Sequence, residues 1–184
     1  LASQSEEDLL VNAYVYSSGI IDATETRVTN NINNDNRIEL TNSNIKTSTA
    51  YKDITLAAAD DLKLYTSAIA ETPIGVLAGS NAVVKNALQR TNALGLYGAG
   101  ELYSMNDINY YAGKHLDGSL GRIELDAQAI NYNGSVIPVV LSPSLNNEVT
   151  QQNELFMQSG ASNSVRHTNI YADAGEGLVF VHTG

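Results

Sequence analysis

A short motif recurs along this chain: a turn-forming residue, an apolar–polar–apolar run, then a small residue that is usually Ala. It reads Asp53-Ile54-Thr55-Leu56-Ala57, Asp107-Ile108-Asn109-Tyr110-Tyr111-Ala112, Arg122-Ile123-Glu124-Leu125-Asp126-Ala127 and Asn169-Ile170-Tyr171-Ala172-Asp173-Ala174. Looser copies begin at Arg37, Asp61 and Gly177. Alternation of this kind turns one face inward and the other outward, as in a half-buried strand. Each copy is bounded by Asn, Asp, Gly or Ser, which accept left-handed turn geometry or cap a turn with their side chains. Many short strands without helices between them restrict the fold to a sandwich, a barrel or a solenoid.

Three features select the solenoid. The copies resemble one another, the inward positions are Ile, Leu, Val and Ala, and hairpin signals are scarce, with Asn133-Gly134 and Asp117-Gly118 the main ones. The expectation is an all-β chain of stacked parallel coils, a β-helix. At about 20 residues per coil the 184 residues give roughly nine coils. With ~4.8 Å per stacked strand, residues 1–184 make a single rod on the order of 45 Å long.

Some stretches depart from this pattern. Asn81–Leu94 reads either as a strand or as an amphipathic helix with Val84, Leu88 and Leu94 on one stripe, interrupted by Asn86 and Asn92. The acidic run Ser5-Glu6-Glu7-Asp8 is suited to opening a short helix. Tyr111–Gly121 carries three Gly around a charged tip and predicts a protruding loop, and the two Pro of Val136–Asn147 predict an extended excursion.

Only 16% of residues are charged, and 10 Lys and Arg against 20 Asp and Glu leave a net charge of -10. Such a surface repels phosphate backbones and anionic lipid, which argues against nucleic-acid partners and a polybasic membrane anchor. The absence of Cys removes disulfide scaffolds, thiolate metal sites and cysteine nucleophiles. No apolar run approaches the ~18 residues of a spanning helix. The N-terminus has neither an initiator Met nor a signal-peptide pattern, and reads as an excised segment or a processed product.

From Met105 to Ala174 the motifs fall into an ordered series. Asn106–Lys114 is followed by Asp117-Gly118, Arg122–Ala127, Asn131-Tyr132-Asn133, Val136-Ile137-Pro138, Gln152-Asn153-Glu154 and Ser164–Ala172. This series, with Asp53–Leu64 before it, resembles the recurring module of filamentous-haemagglutinin-like and leukotoxin-family filamentous adhesins, giant bacterial surface proteins. Where that pattern often carries Arg-Asp, this chain has Lys114-His115 and Arg166-His167. The resemblance implies a right-handed parallel β-helix, an extracellular or cell-surface location, and a role as stalk or adhesin. Its implied partners are glycans or proteins of a host or neighbouring cell, together with end-to-end self-association into filaments. It supplies no catalytic residues and no cofactor.

The residues themselves offer a few other chemistries. His115, His167 and His182 have no HxxxH or HExxH spacing and read as solvated turn residues rather than metal ligands. Asp53, Asp60 and Asp61 lack the EF-hand and nonapeptide calcium spacings, so they read as acceptors for turn amides. Glu124 and Asp126 share a face, and with Glu101 and Glu154 they keep an alternative open, a carbohydrate-active β-helix enzyme (polysaccharide lyase or hydrolase). The absence of Trp, the usual sugar-stacking platform, weighs against it. Ten Tyr against two Phe suggest either aromatic cover for Ala-rich coils or a binding face. The candidate contact loop comprises Tyr110, Tyr111, Lys114, His115 and Asp117. The Asn-rich run Thr29–Asn36 predicts side-chain amide ladders along the stack.

Overall fold

The structure is a computed structural model. It describes residues 1–139 and 141–158 in full and, beyond them, the backbone of the strands Asn163–Arg166, Asn169–Ala174 and Leu178–Thr183. Among the described residues there is no helix, and neighbouring strands pair in parallel. Three sheets form, and none closes into a barrel.

The chain passes through the sheets in a fixed order. The first circuit is β1 (Ala2–Tyr16) in sheet A, β2 (Gly19–Thr41) in sheet B and β3 (Asn44–Lys46) in sheet C. The second repeats it with β4 (Ile54–Thr72), β5 (Gly75–Tyr97) and β6 (Gly100–Tyr103). In the third, β7 (Asp107–Ala112) and β8 (Arg122–Asn133) share the place of β4. They are followed by β9 (Ile137–Val139), β10 (Ser144–Met157) and β11 (Asn163–Arg166). β12 (Asn169–Ala174) and β13 (Leu178–Thr183) then return to sheet A on β7 and β8.

Partners across a ladder lie between 54 and 63 residues apart in sequence, as in Ile54 on Ile108 and Gly100 on Asn163. The expected 20-residue coil is therefore corrected to a circuit almost three times longer. Two motif copies, Asp53–Ala57 and Asp61–Leu64, lie almost wholly within the single strand β4 rather than in separate coils. Asp61 and the Asn residues of Thr29–Asn36, which resemble turn boundaries, sit inside long strands. A 23-residue strand spans on the order of 70 Å, whereas sheet A, four strands deep, is on the order of 15 Å along the stack. Stacking is thus the short direction of these residues, and the 45 Å rod does not form within them.

The helical reading of Asn81–Leu94 is also corrected, because that segment lies inside β5. Its even positions, from Ala82 to Leu94, are all buried, and Asn86 and Asn92 belong to that inward set. Ser5–Asp8 likewise lies within β1, paired with β4, and does not open a helix. The predicted excursion after Val136 contains the short strand β9, with Pro138 in an edge strand that pairs only with β5. Proline is tolerated there because the missing N–H faces no neighbour.

Sheets A and B pack face to face. Thr24 Oγ1 meets Thr72 Oγ1 at 2.9 Å, Thr26 Oγ1 donates to the Ile69 carbonyl at 3.0 Å, and Asn30 Nδ2 donates to Thr66 Oγ1 at 3.2 Å. The numbers climb on β2 as they fall on β4, so the facing strands run in opposite directions. Between them lie three aliphatic clusters, centred on Leu56 and Ile108, on Val84 and Ala127, and on Leu64 and Ile123.

The columns of the stack hold like residues. In sheet B, Asn30 lies on Asn86 on Asn147, Ile32 on Leu88 on Val149, Asn36 on Asn92 on Asn153, and Ile38 on Leu94 on Leu155. Asn30 Nδ2 donates to Asn86 Oδ1 at 2.8 Å, and Asn86 Nδ2 donates to Asn147 Oδ1 at 2.8 Å. A shift of one residue would point every rung outward and every charge inward, so the columns fix register. Amide ladders do form, as the Asn-rich run predicts, but inside strands and across all three circuits.

One column departs from this rule and buries charge. Asp60 and Arg90, both about 1% exposed, form an ion pair between sheets A and B. Arg90 Nη2 also donates to the Asp60 carbonyl, and Asn34 Nδ2 donates to the other Asp60 oxygen at 3.2 Å. Gly121 passes over this pair so closely that a Cβ there would strike the Arg90 guanidinium and approach the Asp60 carbonyl to 2.7 Å. Gly121→Val is therefore expected to cost about 2–4 kcal/mol by displacing a buried ion pair, read as a lower urea midpoint with an unchanged slope.

Ile123, 1% exposed in the central cluster, gives a second prediction. Ile123→Asp places an unpaired carboxylate among Leu62, Leu64, Leu88 and Leu125 and should unfold the chain. In limited proteolysis the variant should be degraded under conditions that leave the parent intact; equal resistance would contradict this packing.

Candidate contact surface

Sheet A changes register at residues 113–121. β4 pairs with β7 at an offset of 54 residues and with β8 at an offset of 61, so the third circuit carries a seven-residue insertion there. This is the loop that the glycines predict. Gly113 and Gly118 adopt positive φ of 84° and 83°, which a side chain disfavours. Lys114 bridges to Leu120, His115 N donates to the Ser119 carbonyl at 2.8 Å, and Gly121 N donates to the Gly113 carbonyl at 3.0 Å. The result is a short, closed turn standing on sheet A.

Against this turn the first circuit supplies the other wall of a cleft of about 670 Å³, lined by Gln4, Ser5, Glu6, Asp61, His115, Leu116, Asp117 and Ser119. His115 bridges the two walls. Gln4 Nε2 lies 3.1 Å from its Nδ1, and its Nε2 lies 3.2 Å from Asp61 Oδ1. An amide donor on one ring nitrogen and a carboxylate on the other suit the neutral tautomer protonated at Nε2. Asp61 also accepts the backbone N–H of Arg122 at 2.8 Å, which ties the cleft floor to the start of β8. At the tip, Asp117 accepts from both Ser119 N (2.9 Å) and Ser119 Oγ (2.6 Å). Those bonds favour the carboxylate and hold its pKa below the usual range.

The predicted loop residues separate into two groups. His115 and Asp117 line the cleft. Lys114 sits over the Tyr111 ring, 5.9 Å from its centroid, in a cation–π contact beside it. Tyr110 is corrected: it is fully buried in the core with Leu56 and Ile108 and offers no contact surface. It occupies the inward phase of β7, and alternation leaves only Tyr111 facing out. Elsewhere Tyr97 stacks on Phe156 with centroids 5.1 Å apart. Gln4, Ser5 and Glu6 were not legible as site residues, because only the register of β1 on β4 brings them beside the loop.

The Tyr110 hydroxyl has no hydrogen-bond partner, and burial pushes its pKa up to about 12. The unfolded chain loses this proton near pH 10 and the folded chain does not, so stability falls as pH rises from about 10 to about 12. Tyr110→Phe should remove that part of the alkaline loss and leave neutral-pH stability equal or slightly higher. Melting curves of both proteins at pH 8 and pH 11 check the sign.

The other singled-out groups have plain structural partners. Asp53 Oδ1 accepts the backbone N–H of Asp107 at 3.1 Å and Asn106 Nδ2 at 2.6 Å, the turn-amide role expected of it. Glu124 pairs with Arg122 and Glu101 with Lys46, each at 3.1 Å. A neighbouring cation is the opposite of the apolar setting that a proton-donating carboxyl needs. Among the described residues no three His, Asp or Glu side chains converge as a metal site. His167 lies outside the described residues, as does the side chain of His182.

No protein family, curated protein or solved structure matches this chain. Among the described residues no helix is long and apolar enough to cross a membrane.

Proposed function

We propose that this chain is a right-handed β-solenoid segment of a bacterial surface or secreted filament of the filamentous-haemagglutinin-like kind. It bears load along the stack and presents the 113–121 turn for contact. The observation that carries this reading is the column-by-column match of three circuits, in which Asn30, Asn86 and Asn147 bond in line with the stacking axis. Such a chain adds circuits without a new core design, as a stalk requires. The cleft at the turn, polar and acidic through Glu6, Asp61 and Asp117, suits the hydroxyl or amino groups of a surface glycan rather than an anion.

Pulling on the two termini tests the stalk. A solenoid should yield circuit by circuit, each of some 54 to 63 residues, releasing on the order of 200 Å per step. One all-or-none extension would contradict it. Exposure to an array of cell-surface glycans tests the contact role, with Glu6→Gln/Asp117→Asn expected to weaken any binding about tenfold or more. Cleavage of a polysaccharide would favour the enzyme reading instead.

A further inference from the structure

Among the described residues the core buries one Tyr, Tyr110. Three others meet on the outer face of sheet A, near its turns toward sheet B. The inward phase there is set by Val11 and Ala13 on β1, Ala68 and Ala70 on β4, and Ala127 and Ala129 on β8. Alternation then turns Tyr14, Tyr16, Ile69, Glu71, Ile130 and Tyr132 to the opposite side. Register completes the arrangement: Tyr14 lies on Ile69 on Ile130, and Tyr16 on Glu71 on Tyr132. Six side chains of one phase on three adjacent strands therefore form one patch. Tyr14, Tyr16 and Tyr132 are 58%, 55% and 53% exposed, so their rings are open to a ligand.

Glu71 stands in the middle of the aromatic column. The Tyr14 hydroxyl reaches diagonally across the ladder and donates to Glu71 Oε2 at 2.5 Å, which holds the carboxylate in place. Elsewhere on the surface Glu25 meets Arg27, Asp35 meets Arg37, Glu101 meets Lys46 and Glu124 meets Arg122. Among the described residues Glu71 has no such cation; its company is three phenols. The face of an aromatic ring is itself electronegative, so carboxylate and rings together favour a cation.

We propose that this patch takes an arginine side chain presented by an extended segment of a partner protein. Two strand spacings put the columns of Tyr16 and Tyr132 about 9.6 Å apart with Glu71 midway. A cation on the carboxylate lies about 5 Å from each aromatic column, inside the ~6 Å reach of a cation–π contact. Arginine fits best on chemistry. Its planar fork bonds a carboxylate through two N–H groups, its face stacks on aromatic rings, and it is more weakly hydrated than an ammonium. Lysine offers only a point charge, and a quaternary ammonium has no N–H for Glu71. Ile69 and Ile130, half-buried in the next column, give the arginine's methylene stem an apolar floor. The net charge of -10 draws a basic partner toward the chain. The proposal rests neither on the filament reading nor on the 113–121 cleft.

Calorimetric titration of the 184-residue chain with hexa-arginine and with hexa-lysine, at about 0.15 M salt, tests it. Hexa-arginine should bind about tenfold or more tightly than hexa-lysine. Glu71→Gln and Tyr16→Leu/Tyr132→Leu should each weaken hexa-arginine about tenfold. Both variants should keep the parent's circular dichroism, since the side chains lie on the outer face. Glu148→Gln, which removes an equal charge from an exposed position of β10, should change affinity less than about twofold. Equal binding of the two peptides, or equal losses in Glu71→Gln and Glu148→Gln, would reduce the effect to net charge and overturn the proposal. Full affinity in the double Leu variant would overturn it too, as would no binding of hexa-arginine at about 1 mM. Binding of cellohexaose in place of hexa-arginine would assign the patch to sugar rings instead.

Discussion

Asp60→Ala should destabilise the chain by about 3–5 kcal/mol, enough to unfold a domain of ordinary stability. The substitution strands the Arg90 guanidinium, about 1% exposed, between two sheets with its carboxylate partner gone. It also removes the acceptor of Asn34. Water cannot reach the orphaned charge unless the sheets part. Removing both charges is a different experiment. Asp60→Leu/Arg90→Met leaves no buried charge and should recover most of the loss, as apolar replacements of buried ion pairs often do. Urea titrations of the parent, the single and the double variants give the comparison. Equal losses in the single and double variants would mean that the pair is not buried as described.

Asn86→Leu should cost about 3 kcal/mol or more. The middle rung accepts from Asn30 at 2.8 Å and Thr66 at 3.2 Å and donates to Asn147 at 2.8 Å, so one substitution removes three bonds at once and leaves Asn30 and Thr66 bonded only to each other within this group. Each orphaned buried group costs about 1–3 kcal/mol, whereas making the bond in the first place contributes only about 1. The same asymmetry predicts that Asn30→Val/Thr66→Val/Asn86→Val/Asn147→Val, which removes every member of the group, is milder than Asn86→Leu alone. The outer-face substitution Asn33→Ala, at an exposed position of β2, should change stability by less than about 0.5 kcal/mol. A ladder variant as harmless as that control would remove the axial amide column from the account.

The period-two alternation made the strand class legible, and the mutual similarity of the motif copies pointed to parallel stacking. The length of the circuit was not legible from those signals. Asn and Asp commonly end strands, whereas Asn30, Asn36, Asn86 and Asn92 stay inside them, since an inward Asn that bonds to its counterpart one circuit away needs no turn. The signal that reveals the true circuit is present in the chain all the same. Asn30 and Asn36, Asn86 and Asn92, and Asn147 and Asn153 recur with the same internal spacing at steps of 56 and 61 residues. The 113–121 turn was legible from its glycines. Its cleft was not, because Gln4 and Glu6 come from a strand more than a hundred residues away. Tyr110 shows the limit of reading aromatics as a face: adjacent Tyr residues on one strand point to opposite sides.

The account as a whole depends on which residues are neighbours along the stack, and a pair of cysteines reports that directly. Asn31 and Ala87 are exposed, in-register partners on β2 and β5. Adjacent strands hold such positions about 4.8 Å apart, within the span a disulfide bridges. In a chain with no native Cys, Asn31→Cys/Ala87→Cys should close a disulfide under mild oxidation while the protein stays folded. Asn31→Cys/Tyr51→Cys, the pair that a 20-residue coil would align, should stay reduced. Closure of the second pair and not the first would contradict the long-circuit architecture.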